Sequence, residues 1–213
     1  IADTYSFLRS YGSYLISLGH FELQEALHEI QKDNLKKGYF YYKDKINPAT
    51  LINITRMALG INRVQWAKEF VESHRYRIAS ETELEEIYKL NLALCLFEEN
   101  KYDEALLHVL YSFYSNAYFL VARRLELRIY FELDSDLLPY KIDSFRKYIE
   151  RTGSKKSSDF DWEANNNFVK ILLQIFQSPP KDAKRSALII QRIQKKKFVG
   201  ERKWLLEKAH KLA

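Results

Sequence analysis

Two segments of this chain superpose on a spacing that has a physical reason. Val64, Ala67 and Val71 stand at i, i+3 and i+7, and Tyr102, Ala105 and Val109 repeat the pattern 38 residues later. Asn62 and Asn100 each lie two residues before the first of these positions. A spacing of three and four marks one face of a helix, and a small residue inside it lets an antiparallel neighbour approach closely. Asn favours the tight turn between two such helices. Each segment therefore reads as helix, turn, helix. The helix upstream of each turn agrees, since Leu51, Ile54 and Ala58 match Lys89, Leu92 and Leu96 at the same displacement.

A third copy follows about 35 residues on. Leu127, Phe131, Leu137, Ile142, Phe145 and Tyr148 match apolar positions of the second copy, but the small alanine is missing. A fourth stands at the start, where Leu23, Ala26 and Ile30 follow Leu15, Leu18 and Gly19. These periods bracket the roughly 34 residues of a tetratricopeptide repeat. Leu92, Ala93, Leu96, Asn100, Tyr102 and Ala105 resemble that family's order of large, small, large, turn, aromatic and alanine. Residues 86–119 match best, and the resemblance extends over about residues 5–150. The run from Asn91 to Ala105, with Leu137 to Tyr148 and a basic helical tail, is also similar to uncharacterised bacterial repeat proteins of this type. The resemblance implies an all-α fold, a right-handed superhelix of antiparallel helix pairs forming a tetratricopeptide-like solenoid. Residues 1–150 would carry the repeats. Residues 151–213 would form a basic helical C-terminal cap continuous with the same solenoid.

Boundary signals support the helices. Asn47 before Pro48 is a cap followed by the ring tolerated at the first helical position, and Ser80 with Glu83 forms a capping box. Gly38 ends a helix that begins near Phe21, leaving Tyr39 to Ile46 as a connector. The polar run Thr152 to Ser158 separates repeats from tail. The tail opens with a helix from about Asp159 to Gln177, stopped by Pro179 and Pro180, whose stripe of Phe168, Ile171, Leu172, Ile175 and Phe176 needs covering. A final helical pair is expected over 182–196 and 199–212.

Composition narrows the classes. The 213 residues contain one cysteine, Cys95, so no internal disulfide is available and a cytoplasmic, reducing setting is expected. Charged residues interrupt every apolar run well short of the roughly 20 residues a membrane helix needs, so no insertion is expected. From Lys141 onward, 18 Lys and Arg stand against 8 Asp and Glu.

Catalytic signatures do not appear. No GxxxxGK[ST], GxGxxG or GxSxG occurs, and no two of His20, His28, His74, His108 and His210 are three or four apart. His28 and His108 read as packing residues, and Cys95, between Leu94 and Leu96, as an inert buried thiol. Acid pairs such as Asp134 with Asp136, and Asp159 with Asp161, suit helix starts. The aromatic clusters Tyr39, Phe40, Tyr41, Tyr42 and Tyr111, Phe113, Tyr114, Tyr118, Phe119 read as knobs between helices. A non-enzymatic chain without cofactor or metal is the expectation.

In a solenoid the first helix of each pair lines the concave side. There Asn53, Arg56, Asn91, Arg124 and Arg128 are the expected partner-binding residues. Amide and guanidinium groups at these positions would grip a protein or peptide segment, because Arg donates paired hydrogen bonds to carboxylates. The opposing expectation is that Arg124 and Arg128 pair with Glu126 or Glu132. Two other partners stay open: nucleic acid or an acidic protein on the basic tail around Lys195, Lys196 and Lys197, and a second copy of the chain in a homo-oligomer.

Overall fold

A computed structural model describes residues 2–109, 116–153 and 159–213. Tyr111, Phe113, Tyr114 and the linker residues from Ser154 to Ser158 lie outside these. The described chain is helical apart from one short hairpin. It forms two compact units, Ile1–Ile16 with His20–Leu125, and Ser17–Gly19 with Glu126–Ala213. The division falls inside two helices, after Ile16 and after Leu125.

The first unit contains α1 (Ala2–Leu18) as far as Ile16, α2 (Gln24–Lys36), β1 (Tyr41–Tyr42), β2 (Lys45–Ile46), α3 (Pro48–Gly60), α4 (Val64–His74), α5 (Leu84–Glu98) and α6 (Tyr102–Leu107). Helix α7 (Asn116–Glu132) crosses the division. The second unit continues with α8 (Leu138–Thr152), α9 (Asp159–Phe176), α10 (Ala183–Lys195) and α11 (Arg202–His210). Helix α3 packs on α2, α4 and α5, and α5 on α6; in the second unit α9 packs on α8, α10 and α11.

The paired helices share one turn. Asn62, Asn100 and Asp134 adopt left-handed φ of 60°, 60° and 48°. The next N–H in each case reaches back five residues: Arg63 to the Ala58 carbonyl, Lys101 to Leu96, and Ser135 to Tyr130. This is the bond of a Schellman motif, which satisfies a carbonyl left open by the end of the first helix. Gly19, at φ 112°, is followed by the same bond from His20 to Leu15. Asn and Asp tolerate this conformation better than other side-chain-bearing residues, so the two Asn positions read from sequence have a backbone cause.

The second helices also start alike. Ala67, Ala105 and Lys141 each donate their N–H four residues back, to Arg63, Lys101 and Leu137. Ala67 and Ala105 are fully buried. The third pair places Lys141 at this position, and its turn is two residues longer before α8 begins. The displacement is therefore 34 through the turn and 36 in the second helix, not a uniform 35.

The first pair departs further. Ala26 is exposed, whereas Gln24, Leu27, His28, Gln31 and Asn34 are the buried residues of α2. The small residue is Gly12 on α1 instead, where a Cβ would stand 3.3 Å from both Leu27 methyl carbons. The alignment through Leu23, Ala26 and Ile30 is thus off the packing face.

Asn47 caps α3 as expected, accepting a hydrogen bond from the Ala49 N–H at 2.9 Å ahead of Pro48. Ser80 Oγ accepts from Glu83 N–H at 3.0 Å, but α5 begins only at Leu84 with Glu83 as its N-cap, so Ser80 stands in the turn before the helix and does not cap it. In the tail, Phe168, Ile171, Leu172 and Ile175 are buried as the stripe requires, while Phe176, at the end of α9, is exposed. No helix among the described residues is long and apolar enough to cross a membrane.

Candidate functional site

The five residues expected to line a groove divide by burial. Asn53 is exposed on α3 and Arg56, three residues on, is half-buried. Asn91 is fully buried in α5, where its Nδ2 donates to the Ile87 carbonyl at 2.7 Å. Arg124 and Arg128 are buried on α7. Arg128 Nη1 donates to Glu201 Oε2 at 3.1 Å, and its guanidinium lies 5.5 Å from the Trp204 ring centroid. Three of the five thus face protein rather than solvent. The cause is plain for two of them: a helix-interior Asn can bond the carbonyl four residues back, and a buried Arg can be matched by one carboxylate. Of the neighbouring acids, Glu126 accepts from Lys141, and Glu132 accepts from Trp204 Nε1 at 2.7 Å and from Lys208.

A different surface in the first unit gathers exposed aromatic rings. The connector Tyr39 to Ile46 is a hairpin, in which Tyr41 pairs with Ile46 and Tyr42 with Lys45. Lys43 and Asp44, at φ 46° and 62°, make its turn. Positive φ at both central residues is the requirement of a type I′ turn, whose usual Asn-Gly signature is absent here. Fully buried Ile46 bridges to Ile78, and its carbonyl accepts from Ala79 N–H at 2.8 Å. The hairpin therefore lies alongside the 3-10 turn Arg75–Arg77 that follows α4.

Further bonds brace this base. Lys45 Nζ donates to the Tyr76 carbonyl at 2.8 Å, and Arg77 donates to the Asp44 carboxylate. The Arg77 guanidinium sits 4.4 Å from the Tyr41 ring centroid, and that of Arg75 lies 4.5 Å from Tyr88 and 5.4 Å from Tyr76. Tyr41 donates to His74 Nε2 at 2.8 Å, while His74 Nδ1 lies 2.7 Å from the Phe70 carbonyl. A carbonyl can only accept, so Nδ1 holds the proton and Nε2 is free to accept from Tyr41. Burial pushes the His74 pKa down and the Tyr41 pKa up, so both groups stay neutral near pH 7.

On this base Tyr42 and Tyr76 are 76% and 73% exposed. Tyr39 is exposed as well, so the aromatic run is not a set of interhelical knobs. Strand alternation turns Tyr41 toward His74 and Tyr42 outward. A type I′ turn made by Lys-Asp hides this hairpin from sequence reading.

Elsewhere the chemistry is quiet. Cys95 is fully buried, and burial pushes its thiol up to about 12, leaving it protonated and unreactive. Among the described residues no group of three or more His, Cys, Asp and Glu is placed to hold a metal ion. No family model, curated protein or solved structure matches this chain.

Proposed function

We propose that the chain is a non-enzymatic protein-binding module, a tetratricopeptide-like stack of helix pairs that works in the cytoplasm. The observation that carries this reading is the pair of exposed rings, Tyr42 on the hairpin and Tyr76 on the 3-10 turn beside it, tied together by Lys45 and Arg77. Tyr and Arg are the residues most enriched at the energetic centres of protein interfaces. A ring held on a stiff base binds with less loss of side-chain freedom than one on a loose loop. The shared left-handed turn of the helix pairs supports the repeat reading and, with it, a right-handed superhelix. Asn53 and Arg56, the accessible members of the expected groove, give α3 a second polar surface for the same ligand class.

The experiment is affinity purification with crosslinking, using the wild type, Tyr42→Ala/Tyr76→Ala and Asn53→Ala/Arg56→Ala as baits. Proteins captured reproducibly by the wild type should fall at least tenfold with the tyrosine variant, at unchanged helical circular dichroism. Undiminished capture by both variants would overturn the reading.

A further inference from the structure

Helix α10 divides its residues sharply. Ser186, Ile189 and Ile193 are buried, and Ser186 Oγ donates to the Ala209 carbonyl at 2.8 Å. The opposite face is exposed and basic. From Lys181 to Lys197 seven Lys and Arg stand against one acid, Asp182, whose carboxylate is occupied in capping the helix through the Arg185 N–H at 2.8 Å. Lys181, Lys184, Arg185, Arg192, Lys195 and Lys196 are all exposed, and among the described residues their side chains take part in no ion pair.

That is not the habit of this unit. Lys141, Arg128 and Lys208 each meet a carboxylate, on Glu126, Glu201 and Glu132. Those three acids are occupied internally, and no ion pair among the described residues compensates the charge on α10.

The basic face is also fixed in place. Buried Arg202 donates from Nη1 to the Ile193 carbonyl at 2.6 Å and from Nη2 to the Lys196 and Lys197 carbonyls at 2.7 and 2.9 Å. Its Nε reaches the Ser17 carbonyl at 3.2 Å. One guanidinium thus closes the end of α10 and pins the backbone of the lysine run, so the cations stand on a rigid element.

We propose that the outward face of α10 binds the phosphate backbone of duplex nucleic acid without reading its sequence. Lys184 and Lys195 lie on one stripe, with Arg185 and Arg192 on the next, and Lys196 follows as the extended C-cap. The helix is about 20 Å long, and a duplex presents one negative charge per about 1.7 Å of its axis, so several phosphates fall within reach. A membrane surface is disfavoured because Leu188 is the single large apolar residue exposed on this helix; the apolar face that a lipid-adsorbed helix would insert is spent inside the unit. A single strand is disfavoured because α10 has no aromatic ring on which bases could stack. This inference stands apart from the protein-binding reading and does not depend on it.

Fluorescence anisotropy of the full chain, with two unrelated 24-base-pair duplexes from 50 to 300 mM NaCl, tests it. Neutralising five or six phosphates gives a log–log salt slope of about −5, so affinity should fall roughly 1000-fold between 50 and 200 mM. The two duplexes should agree within about threefold, and a single strand should bind more weakly. Replacing Lys184, Arg185, Arg192 and Lys195 by Gln should reduce the slope to about −1, since each lost cation removes roughly 0.9. A control reversing Lys36, Lys37, Arg63 and Lys101 to Glu in the first unit should leave the slope near −5. An unchanged slope in the glutamine variant, absence of duplex binding at 100 mM NaCl, or tighter binding to vesicles of 30% phosphatidylserine than to duplex overturns the proposal.

Discussion

Lys141 Nζ donates to Glu126 Oε1 at 2.7 Å, from the position on α8 that Ala67 and Ala105 occupy on α4 and α6. The Glu126 side chain is 1% exposed. Counting back from the left-handed turn residue, it stands where α3 has Ile54 and α5 has Leu92. The third pair therefore solves the same helix approach with an ion pair in place of a small residue against an aliphatic one. Lys141→Ala removes the cation that meets this buried carboxylate and should cost about 3 kcal/mol. Lys141→Ala with Glu126→Leu should recover most of that loss. Urea unfolding of the two single variants and the double variant checks it, and additive losses would refute the coupling.

His28 and His74 are both buried, and burial pushes both pKa values below the usual histidine value. The unfolded chain then binds protons near pH 6.5 that the folded chain does not. Stability is therefore full above pH 6.5 and falls as pH drops below it, by up to about 2.7 kcal/mol per pH unit for two groups. Thermal midpoints should be flat from pH 8 to 7 and decline between pH 6.5 and 5. Replacing both residues by Gln should flatten that decline.

Cys95 offers a readout of unfolding. With the thiol buried and its pKa raised to about 12, a thiol reagent should label it only through opening of the fold. The labelling rate should rise with urea in step with the loss of helix. Fast labelling in the native state at pH 8 would contradict the burial.

Arg202 holds three carbonyls at the end of α10 and one at Ser17. Lys cannot reproduce that fork, because its ammonium is a single point donor. Arg202→Lys should destabilise the chain by about 2 kcal/mol, in the range for lost hydrogen bonds to a charged group. Amide exchange in the segment 194–200 should quicken more than in α9.

Much of the fold is legible in the sequence because its signals are local. Asn62, Asn100, Gly38, the Asn47–Pro48 cap and the Pro179–Pro180 stop all act within a few residues of themselves. The alanines at 67 and 105 are legible because spacing and size agree. Other features depend on partners distant in sequence. Arg128 looks like a surface group until Glu201 is seen to meet it, and Ala26 looks like a packing residue until Gly12 is seen to take the close approach. The hairpin escaped because its turn uses Lys-Asp, and the clamp of Arg202 because four backbone carbonyls leave no mark in side-chain pattern.

The left-handed residue after α3, α5 and α7 carries a consequence for how such a chain can change over generations. It ends one helix and sets the direction of departure without fixing how many residues follow, as the longer link before Leu138 illustrates. Insertions placed there lengthen a joint and leave the packed faces in phase. The same insertion one turn earlier would rotate half a helix out of the core. Lineages that tolerate drift at the joint will keep the architecture long after the period between copies has ceased to be constant.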